Sequence, residues 1–91
     1  MKWALRLTTR FSRQIGKLDR HQAALILGWL EKNIDGCEDP RRFGKSLTGD
    51  RKGVWRYRIG SYRILCRLED DEAIVLALEV GHRRDIYRRP E

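Results

Sequence analysis

Ninety-one residues are enough for one small domain with one modest core, and residues 1–91 read as a single unit. Twenty Lys and Arg against thirteen Asp and Glu leave a charge of +7, with arginine well ahead of lysine and a pI of about 10.0. Two cysteines, Cys37 and Cys66, are too few for a disulfide framework. No apolar run approaches the ~20 residues of a bilayer span, and no segment reads as a signal peptide. The expected setting is therefore the reducing cytoplasm, with no membrane partner.

The chain opens with an alternating segment, Lys2 to Thr8, that predicts a first strand. Phe11, Ile15 and Leu18 then recur at helical spacing, with Thr9 as N-cap. A second helix follows from Asp19, whose Gln22 three residues on completes a capping-box pattern. Ala23, Ile26, Leu27, Leu30 and Ile34 form its apolar stripe. Gly36 supplies a left-handed stop and Pro40 prevents continuation. Residues 37–53 are rich in glycine and charge and read as a loop with one short turn near Phe43 and Leu47. Three strands are expected next, Val54–Ile59, Tyr62–Glu69 and Glu72–Val80. Gly60-Ser61 joins the first two as a type II′ turn, and Asp70-Asp71 joins the last two as a type I′ turn. The order β-α-α-β-β-β predicts an α+β domain, a compact helical pair packed on one face of an antiparallel sheet. Where the first strand joins that sheet is left open.

A two-residue turn at Gly60-Ser61 sets the register of the hairpin. Trp55, Tyr57, Ile59, Tyr62, Ile64 and Cys66 fall on one face, suited to cover the helices. Arg56, Arg58, Arg63 and Arg67 fall on the other, with Arg58 directly opposite Arg63. Like charges opposed across a hairpin cost ~0.2–1 kcal/mol, and residues 51–67 contain no carboxylate, so no local acid offsets them. A surface that gathers arginines in this way suits a phosphate gripped by several planar forks. The tail "GHRRDIYRR" adds His82, Arg83, Arg84 and Tyr87. Such a set is sufficient for metal-free RNA cleavage, with a base for the ribose 2′-hydroxyl, cations for the charged transition state and an acid for the leaving 5′ oxygen. Two His and two Cys without ligand spacing suggest no metal, and no cofactor is expected.

The motifs "VWRYRIGSYRIL", "LEDDE" and "VGHRRDIYR" resemble the RelE/ParE toxin superfamily, and within it the RelE-like branch. The resemblance implies a compact α+β toxin of a type II toxin–antitoxin pair, a ribosome-dependent mRNA interferase that cleaves mRNA in the A site. By position, it implies that Arg63 grips the phosphate and that Arg56 and Arg58 form the basic pair on the preceding strand. It places Arg83 as transition-state stabiliser or acid and Tyr87 as general base. The spacing from the Val-Gly pair to Tyr87 is shorter than usual in that branch, and His82 stands where other members often carry lysine, so His82 competes for the base role. Arg67, Lys52 and Arg84 are further candidates for RNA phosphate contact. The implied partners are an acidic cognate antitoxin protein, the ribosome with its mRNA and rRNA, and operator DNA only through the antitoxin complex. Leu25 and Trp29, off the apolar stripe, are candidates for antitoxin docking, or in the case of Trp29 for closing the core. The alternatives are a ParE-like inhibitor of DNA gyrase and an inactive, non-enzymatic nucleic-acid-binding member of the same fold.

Overall fold

The computed structural model describes residues 1–47 and 53–82. Strand β1 (Ala4–Leu7) leads into helices α1 (Thr9–Gly16) and α2 (Arg20–Asn33), then β2 (Lys45–Ser46), β3 (Val54–Ile59), β4 (Tyr62–Glu69) and β5 (Ile74–His82). The five strands form one sheet in the order β1-β5-β4-β3-β2. The α+β class and the helical pair on one sheet face are as expected. The sheet is mixed rather than antiparallel throughout, because β1 pairs with β5 in parallel. A parallel pair needs a long crossover, and here both helices and three strands lie between the two partners in sequence.

Helix α1 begins one residue earlier than its pattern suggests. Thr8, not Thr9, is the N-cap, and its hydroxyl accepts from the Phe11 amide at 3.1 Å. Thr8 holds a second post: its Oγ1 donates to the Ala77 carbonyl at 2.8 Å. One side chain thus starts the helix and fastens it to β5. Asp19 caps α2 as expected, accepting from the Gln22 amide at 3.0 Å. Ile26, Leu30 and Ile34 of its stripe are fully buried, while Ala23 and Leu27 pack partly buried against them. Gly36 takes φ +82°, the left-handed conformation that ends the helix at least cost.

The core lies between the helices and the inner face of the sheet. Phe11, Ile26 and Leu30 meet Tyr57, Ile64, Cys66, Val75 and Ala77 there. Trp55, Ile59 and Tyr62, assigned to this face by the hairpin register, border the cluster partly buried. The burial of Cys66 pushes its thiol pKa far up, as suits a small core side chain.

Two connections differ from expectation. The β4–β5 turn is four residues long, Asp70 to Ala73, rather than an Asp-Asp pair. Glu69 pairs with Ile74, so the strand starts two residues later than predicted. Ala73, at φ 54°, takes the left-handed position that closes the loop. In its described residues, the segment read as a loop after Gly36 holds a 3-10 turn at Pro40–Arg42 and the short edge strand β2. Among the described residues no helix is long and apolar enough to cross a membrane.

Candidate nucleic-acid interface

The predicted hairpin register holds from end to end: Ile59 faces Tyr62, Arg58 faces Arg63 and Trp55 faces Cys66. Gly60 alone takes positive φ in that turn, at +61°, with Ser61 outside the left-handed region, the signature of a type II′ turn. The Val54 carbonyl accepts from the Leu47 amide of the edge segment at 2.9 Å. Residues 54, 56 and 58 therefore turn their backbone groups away from β4. Arg58 and Arg63 are consequently a non-hydrogen-bonded pair, whose Cα atoms stand ~4.5 Å apart with side chains close.

The outer face of the sheet carries Arg56 and Arg58 from β3 with Arg63 and Arg67 from β4. Strand β2 adds Lys45, which faces Arg56. Arg58 and Arg67 are exposed and Arg56 is half-buried. Arg63 is only 6% exposed, yet its Nε and Nη1 have no hydrogen-bond partner among the described residues. A buried guanidinium with unmet donors is unusual, since each such group costs about 1–3 kcal/mol. Arg67 stands four residues from Arg63 on the same strand, roughly 13 Å away at ~3.3 Å per residue. Arg56, opposite Leu65, stands midway between the two, so Lys45, Arg56, Arg58 and Arg63 share the face with Arg67 at its far end.

Two features of this face go beyond the sequence pattern. The first is Lys45, placed by Gly44. At φ +79°, Gly44 crosses so near the backbone of β3 that a Cβ would collide with the Arg56 carbonyl and press on the Trp55 indole. Only glycine allows the edge segment to run that close. The second is Glu79, also 6% exposed. A β-bulge in β5 leaves Leu78 unmatched between Glu79, which faces Leu65, and Ala77, which faces Cys66. The extra residue reverses the alternation, so Glu79 joins the arginine face while Val80 enters the core. Arg10 reaches from the first turn of α1 to the Glu79 carboxylate at 3.4 Å. Gln14 of the same helix accepts from the Val80 amide at 2.7 Å, which fixes the strand just past the bulge.

His82 does not join the arginines. It lies opposite Tyr62, and their rings meet edge to face at 5.8 Å. Cross-strand partners share a face, so His82 projects from the inner side, while Arg63 faces Gly81 on the outer side. Lys52, Arg83, Arg84 and Tyr87 lie outside the described residues. Trp29 packs against Phe43 and Tyr57 at ring distances of 5.4 and 5.5 Å, at the edge of the core. Leu25 is half exposed on the outer side of α2. Tyr57, the phenol nearest the basic face in sequence, is no proton acceptor. It is fully buried, donates to the Pro40 carbonyl at 2.7 Å, and burial pushes its pKa far above the ordinary phenol value. Among the described residues no group of three His, Cys, Asp or Glu is placed to hold a metal ion.

Two helices packed on one face of a five-stranded mixed sheet match the fold of solved RelE-type toxins. Residues 5–87 match the model described as the ParE toxin of the type II toxin–antitoxin system parDE, and the chain belongs to that family of toxins. It is similar to the toxin RelG of Mycobacterium tuberculosis, 35% identical over 89 residues that cover 98% of this chain and all of RelG. The fold is shared with the toxin–antitoxin complex RelBE2 of the same organism, at a TM-score of 0.82 and 30% identity over 91% of this chain and 93% of that one. It is shared too with a mutant of the Escherichia coli toxin RelE in the free state, at a TM-score of 0.74 and 21% identity over 96% and 92% of the two chains.

Proposed function

We propose that this toxin is a metal-independent endoribonuclease that cuts messenger RNA in the ribosomal A site. The observation that carries the reading is Arg63, buried on the outer face with two unmet donors and a second arginine directly across from it. A phosphodiester supplies acceptors for the two Arg63 nitrogens that have none among the described residues, and charge-assisted bonds of that kind are short and strong. The resemblance to RelG and to RelE-type toxins supports the same reading.

In this reading Arg63 holds the non-bridging oxygens of the scissile phosphate, and Arg58 and Arg56 hold the backbone beside it. Lys52, Arg67 and Arg84 add phosphate contacts along the strand. A base removes the proton of the ribose 2′-hydroxyl, and that oxygen attacks the adjacent phosphorus. The bond from phosphorus to the 5′ oxygen breaks, and an acid returns a proton to the leaving oxygen. Negative charge accumulates on the phosphoryl oxygens, where fixed guanidiniums stabilise it without reorganisation. Tyr87 is the proposed base and Arg83 the proposed stabiliser or acid. His82, held against Tyr62 on the inner side, is the less suited competitor. The proposed partners are an acidic antitoxin, drawn by the +7 charge, and the ribosome with its message. Operator DNA is met only through the antitoxin complex, and the setting is the cytoplasm.

The deciding experiment follows cleavage of a defined message on purified ribosomes. Wild type should cut; Arg63→Ala and Tyr87→Phe should lose cutting while remaining folded. Full activity in both variants would refute the site. The family match itself favours one second reading, inhibition of DNA gyrase, because the matching model carries the ParE name. Supercoiling by purified gyrase, blocked by the wild type at concentrations that leave translation intact, would establish that reading instead.

A further inference from the structure

At the β2–β3 edge of the sheet lies a cleft of about 300 Å³ lined by Trp29, Phe43, Gly44, Lys45, Arg56 and Arg58. It joins two aromatic rings from the helix side to three cations of the outer face. Both rings are held in place. Trp29 and Phe43 meet edge to face at 78°, and Trp29 also leans on the buried Tyr57 ring at 5.5 Å. The Phe43 backbone is pinned from the other side, its carbonyl accepting from the Trp55 indole N–H at 2.7 Å. Both rings are nonetheless only half-buried, so neither is sealed into the core.

We propose that this cleft takes one unstacked nucleobase of the same RNA strand whose phosphate lies on Arg58 and Arg63. The inference rests on the RNA reading above and extends it from the phosphate to the base. Aromatic faces stack on any base, and flanking cations track the backbone, which is the pairing of features that single-stranded nucleic acid requires. The spacing also suits one continuous strand. Lys45 lies two strand spacings across and two residues along from Arg63, ~12 Å, so cleft and phosphate cradle are within reach of neighbouring nucleotides. Rings already packed against each other and against Tyr57 lose little freedom when a base arrives, which favours affinity.

The test uses the full chain and a short 2′-O-methyl oligoribonucleotide, which lacks the attacking hydroxyl, followed by fluorescence anisotropy. A second oligonucleotide has the same backbone with every base removed. Wild type should bind the intact strand about ten-fold more tightly than the abasic one. Phe43→Leu should abolish that preference while changing abasic binding less than about two-fold. Lys45→Ala should weaken both strands and lower the salt dependence by about one phosphate contact. Equal affinity of wild type for the two strands would overturn the proposal, and that comparison needs no variant to fold. Phe43→Leu that leaves RNA binding intact but weakens capture of the purified antitoxin would overturn it too, giving the cleft to a protein partner. Ribosomal cleavage separates the two levels. Cutting without base-dependent binding sinks only the cleft, and base-dependent binding without cutting sinks the nuclease reading and upholds the cleft.

Discussion

The two faces of one sheet obey opposite rules. On the inner face every large side chain finds a neighbour. Tyr57, Ile64 and Cys66 are fully buried against α1 and α2, and the one phenol among them donates to the Pro40 carbonyl. On the outer face Arg63 is almost as buried, yet two of its nitrogens have no partner among the described residues, and its cross-strand neighbour is another arginine. Such local conflict inside an otherwise consistent fold is expected where function, not stability, selects the residue. Burial alone therefore does not mark a core position. What the buried atoms bond to separates structure from function.

The sharpest way to test that contrast is Arg63→Met, which keeps much of the side-chain volume and removes the donors. Cleavage on ribosomes should fall by about 10²–10³, the scale for losing one transition-state donor. The same variant should melt at the wild-type temperature or above, because about 1–3 kcal/mol of unmet desolvation disappears. A variant less stable than wild type would mean that Arg63 is an ordinary structural residue. Leu30→Ala should do the reverse. It opens a cavity in the fully buried stripe of α2 and should cost about 2–5 kcal/mol in urea unfolding, with cleavage per folded molecule unchanged. Tyr57→Phe removes a single oxygen and leaves the buried Pro40 carbonyl without its donor. A loss of about 1–3 kcal/mol is expected by thermal melting, again without effect on chemistry.

The sequence carries these two faces unequally. Alternation and a Gly-Ser turn suffice to place Arg58 opposite Arg63, since a two-residue loop leaves one register. Capping chemistry identifies Asp19 and the stripe of α2 identifies Ile26, Leu30 and Ile34, because each is a local pattern. Position 79 is different. Strand β5 is apolar on both sides, so periodicity does not say which residues face the helices. The answer depends on a bulge at Leu78 that the Thr8 hydroxyl helps to hold, with a 3.2 Å bond to the Leu78 carbonyl. That contact joins residues 70 positions apart in sequence and leaves no local trace. Lys45 is hidden for a related reason. Edge strand β2 has two residues, too short for alternation to register, and its place depends on how near Gly44 runs to β3. Even β1 is legible only as a strand. Its parallel union with β5 is a global choice, closed on the outer edge by the Leu5 amide donating to Asp35 at 3.0 Å.

The smallest predicted effect comes from an arginine whose fork is filled. Arg41 meets Asp70 with two parallel bonds, Nη1 to Oδ1 and Nη2 to Oδ2, both 2.9 Å. The pair is the bidentate geometry that Arg63 does not make among the described residues, but it stands in solvent, where competition with water leaves little net gain. Arg41 holds the Asp70 carboxyl below its ordinary value of 3.8. Because the folded-state pKa is depressed, the stabilisation is present above the unfolded value and is lost as pH falls through the folded one. Asp70→Asn should therefore lower the melting temperature slightly at neutral pH, less at high salt, and not at all near pH ~2, where the wild-type carboxylate is itself protonated. Arg63→Met should show no such acid-dependent difference, since the Nε and Nη1 of that guanidinium meet no carboxylate among the described residues. If the two variants shared one pH profile, Arg63 would have an acidic partner in the folded chain, and the opposition between a filled and an unfilled arginine would collapse.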